Sequence, residues 1–132
     1  MNILVCISKA PDTTSKINFE ENNTKFSEAG VQFIVNPYDE WYALVRALEL
    51  KEAGGGKVSV VSVGGADYDA IIRKALAIGA DDAFRIDAVP TDSMQCASEI
   101  ATFAKDKGFD LILCGKETID YNGSNVAGMI AA

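Results

Sequence analysis

Short apolar runs alternate along this chain with segments that have the residue spacing of helices. Ile3–Ile7, Lys57–Val63 and Leu111–Cys114 have the composition of buried strands, and Ala83–Ile86 is predicted as a further short strand. Val31–Val35 is a further short apolar segment. Strands that alternate with helices favour a mostly parallel sheet with right-handed crossovers. The predicted fold class is therefore α/β, with a parallel sheet and helices on both of its faces.

The first helix has strong start signals. Asn36 is a favoured N-cap residue, Pro37 suits the first helical position, and Asp39 and Glu40 suit the positive end of the helix dipole. The glycines at 54–56 are expected to end the helix. The predicted buried face follows at helical spacing and consists of Trp41, Leu44, Val45 and Leu48.

Three more helices are predicted further along the chain. The second is expected to open at Asp67 and to stop at Gly79, and its buried face to be Ile71, Ile72, Ala75 and Leu76. The third is expected to be capped by Thr91 or Asp92 and to run to Gly108. The last opens in the small-residue segment after Ser124. The polar stretch 9–30 has turn signals and room for a short hairpin.

Length and composition fit one globular domain over residues 1–132, with 48% hydrophobic and 23% charged residues. The net charge is −7 without a basic run, so binding to nucleic acid or to an anionic membrane surface is not expected. No apolar run reaches membrane-spanning length, and no signal peptide is recognisable. Three separated cysteines fit reduced thiols in a cytoplasmic protein. Residues 125–132 lack helix-stop signals, so we expect the domain to be truncated at its C-terminal end.

The loop after the last strand is the strongest candidate for a ligand site. Residues 115–124 are the part of the chain richest in Gly, Ser, Asn and Asp, and they separate a buried strand from a helix. In parallel α/β sheets, ligands bind at the carboxyl ends of the strands, where glycines admit backbone and helix N-termini offer N–H donors to phosphate. The other strand-to-helix turns, at 8–13, 36–40 and 63–67, are predicted to lie at the same edge.

The motifs of common catalysts are missing. No Gly-x-Gly-x-x-Gly follows the first strand, and there is no Walker-type phosphate loop, Cys-x-x-Cys or Gly-x-Ser-x-Gly. The sequence contains no histidine, which removes the commonest general base and metal ligand. We therefore expect a chain that holds a nucleotide but has no catalytic residues and no metal site of its own.

Four stretches together resemble the beta subunit of electron transfer flavoproteins. They are residues 1–12 (MNILVCISKAPD), residues 35–40 (VNPYDE) at the start of a helix, residues 72–81 (IRKALAIGAD) and residues 115–120 (GKETID). Their order and spacing extend the resemblance over essentially the whole chain. Neither the Asn-Pro-aromatic start nor the Ala-Leu-Ala-Ile-Gly-Ala-Asp stretch is specific by itself, but together they are.

The resemblance implies a universal-stress-protein-like, Rossmann-like domain that binds an adenine nucleotide. Family members are heterodimers in which the alpha subunit holds the redox FAD and the beta subunit buries AMP, or a second FAD in electron-bifurcating members. They accept electrons from flavin dehydrogenases and pass them to another carrier. By resemblance this chain is an electron-transfer subunit without catalytic residues, and Thr13 and Tyr38 lie near the FAD of the alpha subunit.

The resemblance also implies the nucleotide-binding residues. Cys6 and Val63 end strands next to the adenosine, residues 36–39 offer backbone polar groups, and residues 120–126 offer N–H groups and the Ser124 hydroxyl to phosphate. The family's Asn-Gln-Thr-like loop end is replaced here by Ser-Asn-Val at 124–126. The full predicted set is Cys6, Asn36, Pro37, Tyr38, Asp39, Val63, Gly115, Lys116, Glu117, Thr118, Ile119, Asp120, Tyr121, Asn122, Gly123, Ser124, Asn125 and Val126.

Other interpretations remain open from the sequence alone. The chain is alternatively a free-standing, ATP-binding sensor of the universal-stress type, although the spaced glycines of a triphosphate loop are missing before Gly123-Ser124. An adenylate-forming or hydrolytic enzyme of the same fold is a third, weaker possibility. Single residues also have structural interpretations: Asn36 and Pro37 as a helix start, Tyr38 as a packing residue, and Cys6 as a small buried hydrophobe.

Overall fold

A computed structural model describes residues 1–132 of the chain. It contains eight strands and four α-helices, with a short 3₁₀ turn at Ala66–Tyr68 before the second helix. The helices are α1 (Asp39–Gly54), α2 (Asp69–Ile78), α3 (Ser93–Ala104) and α4 (Val126–Ala131). The strands are β1 (Asn2–Cys6), β2 (Lys9–Pro11), β3 (Phe19–Glu20), β4 (Lys25–Phe26), β5 (Phe33–Val35), β6 (Lys57–Val63), β7 (Asp82–Ile86) and β8 (Leu111–Leu113).

The core of the fold is a four-stranded sheet with the order β7-β6-β1-β8, in which every pair is parallel. The chain builds outward from β1 through β6 to β7, and then returns to place β8 on the other side of β1. The order of strands therefore reverses between β1 and β8. Such a reversal opens a crevice at the carboxyl ends of the two strands, which is where α/β proteins bind ligands.

Helices cover both faces of this sheet, as predicted. Alternate residues of β1 and β6 pack on α1 and α2, in a cluster of 13 buried hydrophobic residues that includes Val5, Leu44 and Val60. The intervening residues face α3 and α4 in a smaller cluster of 5, which includes Leu4 and Ile100. The predicted α/β class with a parallel sheet between two helical layers is thus confirmed.

The segment between β1 and α1 forms two small accessory sheets. The predicted hairpin is β3 paired with β4, and the exposed ring of Phe19 meets the partly buried ring of Phe26 edge to face with centroids 6.3 Å apart. The predicted strand at 31–35 is shorter, Phe33–Val35, and it pairs antiparallel with β2 outside the parallel sheet. Lys9 on β2 connects this small sheet to its surroundings, because its ammonium group lies 4.0 Å from the centroid of the Phe33 ring and pairs with Asp67.

The predicted start of α1 is wrong. The helix begins at Asp39, and Tyr38 occupies the N-cap position with a φ of 62° and no side-chain cap. Asn36 and Pro37 lie before the helix, and Asn36 is fully buried. The physical reason is tertiary: the Asn36 side chain bonds to a distant loop, described below, and is therefore not available to cap the helix.

Several predicted helix limits and faces also need correction. The buried face of α1 is Glu40, Ala43, Leu44 and Ala47, and Val45 is 36% exposed. Leu76 of α2 is likewise partly exposed, and α2 starts at Asp69, after the 3₁₀ turn. Asp92 caps α3 as predicted by accepting a 2.8 Å hydrogen bond from the Gln95 amide, but the helix ends at Ala104.

Candidate functional site

A cavity lies at the carboxyl ends of β1 and β8, in the crevice made by the reversal of strand order. Its enclosed volume is about 90 Å³. β1 and β6 supply its floor, the loop after β8 forms one wall, and the first turns of α3 and α4 close the other side. The predicted site residues that line it are Cys6, Val63, Gly115, Lys116, Glu117, Thr118, Tyr121, Gly123, Ser124 and Val126.

The remaining predicted residues lie around this cavity and do not line it. Pro37, Tyr38, Asp39, Ile119 and Asn122 line a shallow depression on the outer side of the same loop. A groove beyond it holds Asp120 and Tyr38 together with Thr13. The two other predicted residues, Asn36 and Asn125, line neither the depression nor the groove. Asn36 is buried beneath the loop, and Asn125 immediately precedes α4 but its side chain makes no capping hydrogen bond.

The start of α1 holds the loop after β8 in place. The Asp39 carboxylate accepts a 2.9 Å hydrogen bond from the Glu117 amide, and Asn36 Oδ1 accepts one of 3.3 Å from the Ile119 amide. Asn36 Nδ2 is buried without a hydrogen-bond partner. Asn36 and Asp39 therefore position the cavity wall through their side chains, whereas the sequence suggested backbone contacts to a ligand.

The loop is also closed on itself. Thr118 and Gly123 face each other, with the Thr118 amide donating to the Gly123 carbonyl at 3.0 Å and the Gly123 amide donating to Thr118 Oγ1 at 2.9 Å. A Cβ on Gly123 would lie 2.4 Å from the Tyr121 ring, so a glycine is needed for this ring to pack there. The Tyr121 ring lines the cavity and is otherwise 70% exposed.

Glu40 is a charged residue of the cavity that lies in a turn predicted at this edge but was not among the predicted binding residues. Its carboxylate accepts hydrogen bonds from the Ser8 amide at 2.5 Å and the Ser8 hydroxyl at 2.7 Å, directly after β1. No ion pair compensates its charge, and the residue is 9% exposed. Burial raises the pKa of Glu40 to about 7, although the Ser8 hydrogen bonds act in the opposite direction.

The amino-acid sequence did contain a signal for Glu40. Residues 40, 43, 44 and 47 have the i, i+3, i+4, i+7 spacing of one helix face, so the acid lies in phase with Ala43, Leu44 and Ala47. Gly115 is its counterpart in the loop: a Cβ at that position would lie 2.6 Å from Glu40 Cγ. The missing side chain of Gly115 therefore makes room for Glu40 and not directly for a ligand.

Three side chains of α3 complete the lining and were also missed: Ser93, Cys96 and Ile100. Together with Cys6, Val63 and Cys114 they make the inner end of the cavity narrow and mostly apolar. Polar residues of the loop, Lys116, Thr118 and Ser124, line the opposite side, although the Lys116 ammonium itself pairs with Glu117 in solvent. Such a site suits a flat apolar ring system at one end and a polar or anionic group at the other.

The fold and the cavity define a doubly wound α/β domain with its candidate ligand site at the switch point of the parallel sheet. A family model described as "Electron transfer flavoprotein domain" matches residues 23–132, and the chain therefore belongs to this family. None of its helices is both long and apolar enough to cross a membrane.

Curated relatives agree with the family assignment. The electron transfer flavoprotein subunit beta of Bacillus subtilis (strain 168) is 38% identical over 135 residues, which cover 99% of this chain and 51% of that protein. The subunit beta of Megasphaera elsdenii is 37% identical over 143 residues, covering 99% and 52%. Protein FixA of Azotobacter vinelandii is 37% identical over 139 residues, covering 99% and 48%. The chain spans about half the length of the curated relatives it matches.

These comparisons confirm the resemblance derived from the sequence and do not favour the stress-type sensor. The acryloyl-CoA reductase electron transfer subunit gamma of Anaerotignum propionicum is also similar, with 31% identity over 137 residues, covering 99% of this chain and 51% of that protein. The names of the relatives from Bacillus subtilis, Megasphaera elsdenii and Anaerotignum propionicum thus describe electron transfer subunits.

Proposed function

We propose that this chain is part of an electron-transfer subunit that binds an adenine nucleotide in the cavity between β1 and β8. The subunit would pair with an FAD-containing alpha chain and relay electrons from flavin dehydrogenases, without catalytic residues of its own. The observation that supports this most directly is the cavity at the reversal of strand order, in a chain whose family is that of electron transfer flavoproteins.

The lining fits a nucleotide in one orientation. Cys6, Val63 and Ile100 would contact the base, since their side chains form the apolar inner end. Thr118 and Ser124 would meet the sugar and phosphate, because these polar residues line the loop side. The enclosed 90 Å³ is below the roughly 300 Å³ or more of typical ligand sites. Part of AMP, or most of an FAD, would therefore extend past Tyr121 into the open.

The groove with Thr13 and Tyr38 supports a second part of the proposal. These two residues are far apart in sequence but line the same surface groove, together with Phe19, Phe26 and Tyr121. Tyr38 is 60% exposed, so its ring is available to a partner. We assign this groove to the FAD of the alpha chain. When bound, that flavin would supply the redox chemistry, while this chain would shield it and restrict its access to water.

The test uses the full-length chain co-purified with its alpha partner. Tyr38→Ala is expected to change the flavin absorbance spectrum and reduction potential, because an aromatic contact is lost at the flavin. Tyr42→Ala is the matched control, because Tyr42 is 62% exposed and its ring centroid is 6.4 Å from that of Tyr38, but it does not line the groove. A complex without flavin, or equal effects of both variants, would contradict the assignment.

A further inference from the structure

Cys6 and Cys114 are neighbours on adjacent strands at the floor of the cavity. β1 and β8 pair in parallel register at Leu4 with Ile112 and at Val5 with Leu113, so the next opposed pair is Cys6 with Cys114. Both cysteines belong to the hydrophobic cluster on the α3 and α4 face, which shows that their side chains point to the same side of the sheet. Both also line the cavity.

The spacing of neighbouring strands suits a disulfide between these two positions. Adjacent strands lie about 4.7–4.9 Å apart, within the roughly 4.4–6.8 Å between Cα atoms that disulfides require. β8 ends at Leu113, so Cys114 lies just past the last ladder pair. The surrounding acidic and thiol side chains do not form a group of three possible metal ligands.

The two thiols differ in their surroundings. Cys6 is buried, and its pKa is raised by its hydrogen bond to Cys114, by burial and by the nearby Glu40 carboxylate. Cys114 is half-buried, and the hydrogen bond from the Cys6 thiol lowers its pKa. Two neighbouring thiols that face a cavity, one of them with a lowered pKa, match the arrangement of cysteines that react with oxidants and are then resolved to a disulfide.

We propose that Cys6 and Cys114 form a redox-active dithiol site that reacts with small hydroperoxides and closes to a disulfide across β1 and β8. The Cys114 thiolate attacks one peroxide oxygen, an S–O bond forms, the O–O bond breaks, and the departing hydroxide takes a proton to become water. Cys6 Sγ then attacks the sulfenic sulfur, an S–S bond forms, and the hydroxyl leaves with the Cys6 proton as a second water. Two thiols are oxidised by two electrons, and the peroxide is reduced by two.

The dimensions of the cavity favour hydrogen peroxide as the oxidant. An enclosed volume of about 90 Å³ admits a molecule of a few atoms but excludes a peptide disulfide from the floor. The bond would lie where the base end of a ligand is expected, so its formation would alter that end of the cavity. The dithiol chemistry itself depends only on the two strands and not on the identity of a nucleotide.

The test is oxidation of the full-length chain in complex with its alpha partner, after bound nucleotide has been removed by dialysis against charcoal. Hydrogen peroxide is added, remaining thiols are alkylated, and the digest is analysed by mass spectrometry without reduction. The expected result is the loss of two alkylatable thiols together and a peptide pair joined through Cys6 and Cys114, lighter by two hydrogens and restored by dithiothreitol.

Single variants make the test specific. Cys6→Ala removes the resolving thiol, so Cys114 should proceed to sulfinic acid, whereas Cys96→Ala should leave the disulfide intact, since Cys96 lies on α3. The proposal is overturned if native protein gives sulfinic acid at Cys114 while Cys6 remains alkylatable. It is equally overturned if the linked pair contains Cys96, or if no thiol is lost at peroxide concentrations that oxidise the denatured chain.

Discussion

The two faces of the parallel sheet are built differently. The face under α1 and α2 is filled by 13 buried hydrophobic residues and contributes most of the apolar burial. The face under α3 and α4 has 5, including Cys6, and the cavity opens at its carboxyl edge. On this second face, small side chains leave the space that a ligand needs, and the face gives up the close packing that larger side chains would provide. The comparison separates a face that mainly stabilises the domain from a face that can bind a ligand.

Glu40 connects the two faces. It belongs to the buried stripe of α1 on the packed side, but the first turn of that helix reaches the carboxyl edge of the sheet and places the acid in the cavity. Lys9 shows the contrast, because this nearly buried charge is paired with Asp67 and Glu28. A buried carboxylate without a cation is costly for the fold, and such groups concentrate at functional sites.

The largest effect is expected on the packed face. Leu44→Ala removes a fully buried side chain between α1 and the sheet, which should lower the free energy of unfolding by about 2–5 kcal/mol. Cys96→Ala on the other face borders space that already exists and should cost about 1 kcal/mol or less. Urea denaturation of both variants measures the difference. Equal losses would show that the two faces do not differ in packing.

Glu40→Gln should change the pH dependence of stability. Between its ordinary pKa of 4.5 and the folded value of about 7, the folded state holds a proton that the unfolded state has lost. Stability contributed by the protonated acid is therefore present below pH 4.5 and is lost as the pH rises through 7, by about 3 kcal/mol in total. Glutamine retains an acceptor for the Ser8 amide and does not titrate. The free energy of unfolding of Glu40→Gln should therefore exceed that of the wild type by a margin that grows from pH 4.5 to pH 8. A margin that does not change with pH would contradict the buried, unpaired state of Glu40.

Gly115→Ala tests the contact between the loop and α1. The added Cβ would lie 2.6 Å from Glu40 Cγ and 3.0 Å from the Glu40 amide nitrogen, so we expect a loss of about 1–3 kcal/mol and reduced nucleotide retention. Gly54→Ala is the control, because nothing lies within 4 Å of its Cβ position and its φ is not positive. Normal stability and ligand content in Gly115→Ala would remove the steric argument.

The smallest effect is expected at Tyr38, where the chain enters α1. Its φ of 62° lies in the left-handed region, which costs a non-glycine residue about 1 kcal/mol or more. Tyr38→Gly should therefore be about 1 kcal/mol more stable than Tyr38→Ala, since both lose the same exposed ring and only glycine tolerates that φ. Thermal unfolding of the two variants gives the comparison, and identical midpoints would show that the backbone relaxes.

Much of the fold could be predicted from the sequence because its two central strands, β1 and β6, are apolar runs buried on both faces. The edge strands β7 and β8 are only partly buried but were still recognised as short strands, and Gly79 and Asp92 marked a helix end and a helix start through local chemistry. The start of α1 could not be predicted in the same way. Asn36 and Pro37 have the local preferences of a helix start, but a hydrogen bond to Ile119, 83 residues away, takes the Asn36 side chain out of that role.

The site shows the same limit. The loop 115–124 was recognised from its composition and lies at the cavity, and the resemblance supplied Cys6 and Val63. Ser8 and Glu40 lay in turns predicted at this edge but were not assigned to the site, and Cys96 was not predicted, because their roles come from long-range packing. Only the spacing of buried residues along α1 indicated that the Glu40 side chain is buried. The pairing of Cys6 with Cys114 required the strand order, which no local pattern contains.

The nucleotide content of the complex tests the central proposal most directly. The full-length chain is co-purified with its alpha partner, the small molecules are released with acid, and they are identified by mass spectrometry. We expect one FAD with AMP, or two FAD without AMP if a second flavin occupies this chain, and in either case less nucleotide from Gly115→Ala. ATP without any flavin would contradict the electron-transfer proposal, and AMP retained equally by Gly115→Ala would contradict the role of the loop 115–124 as a wall of the nucleotide site.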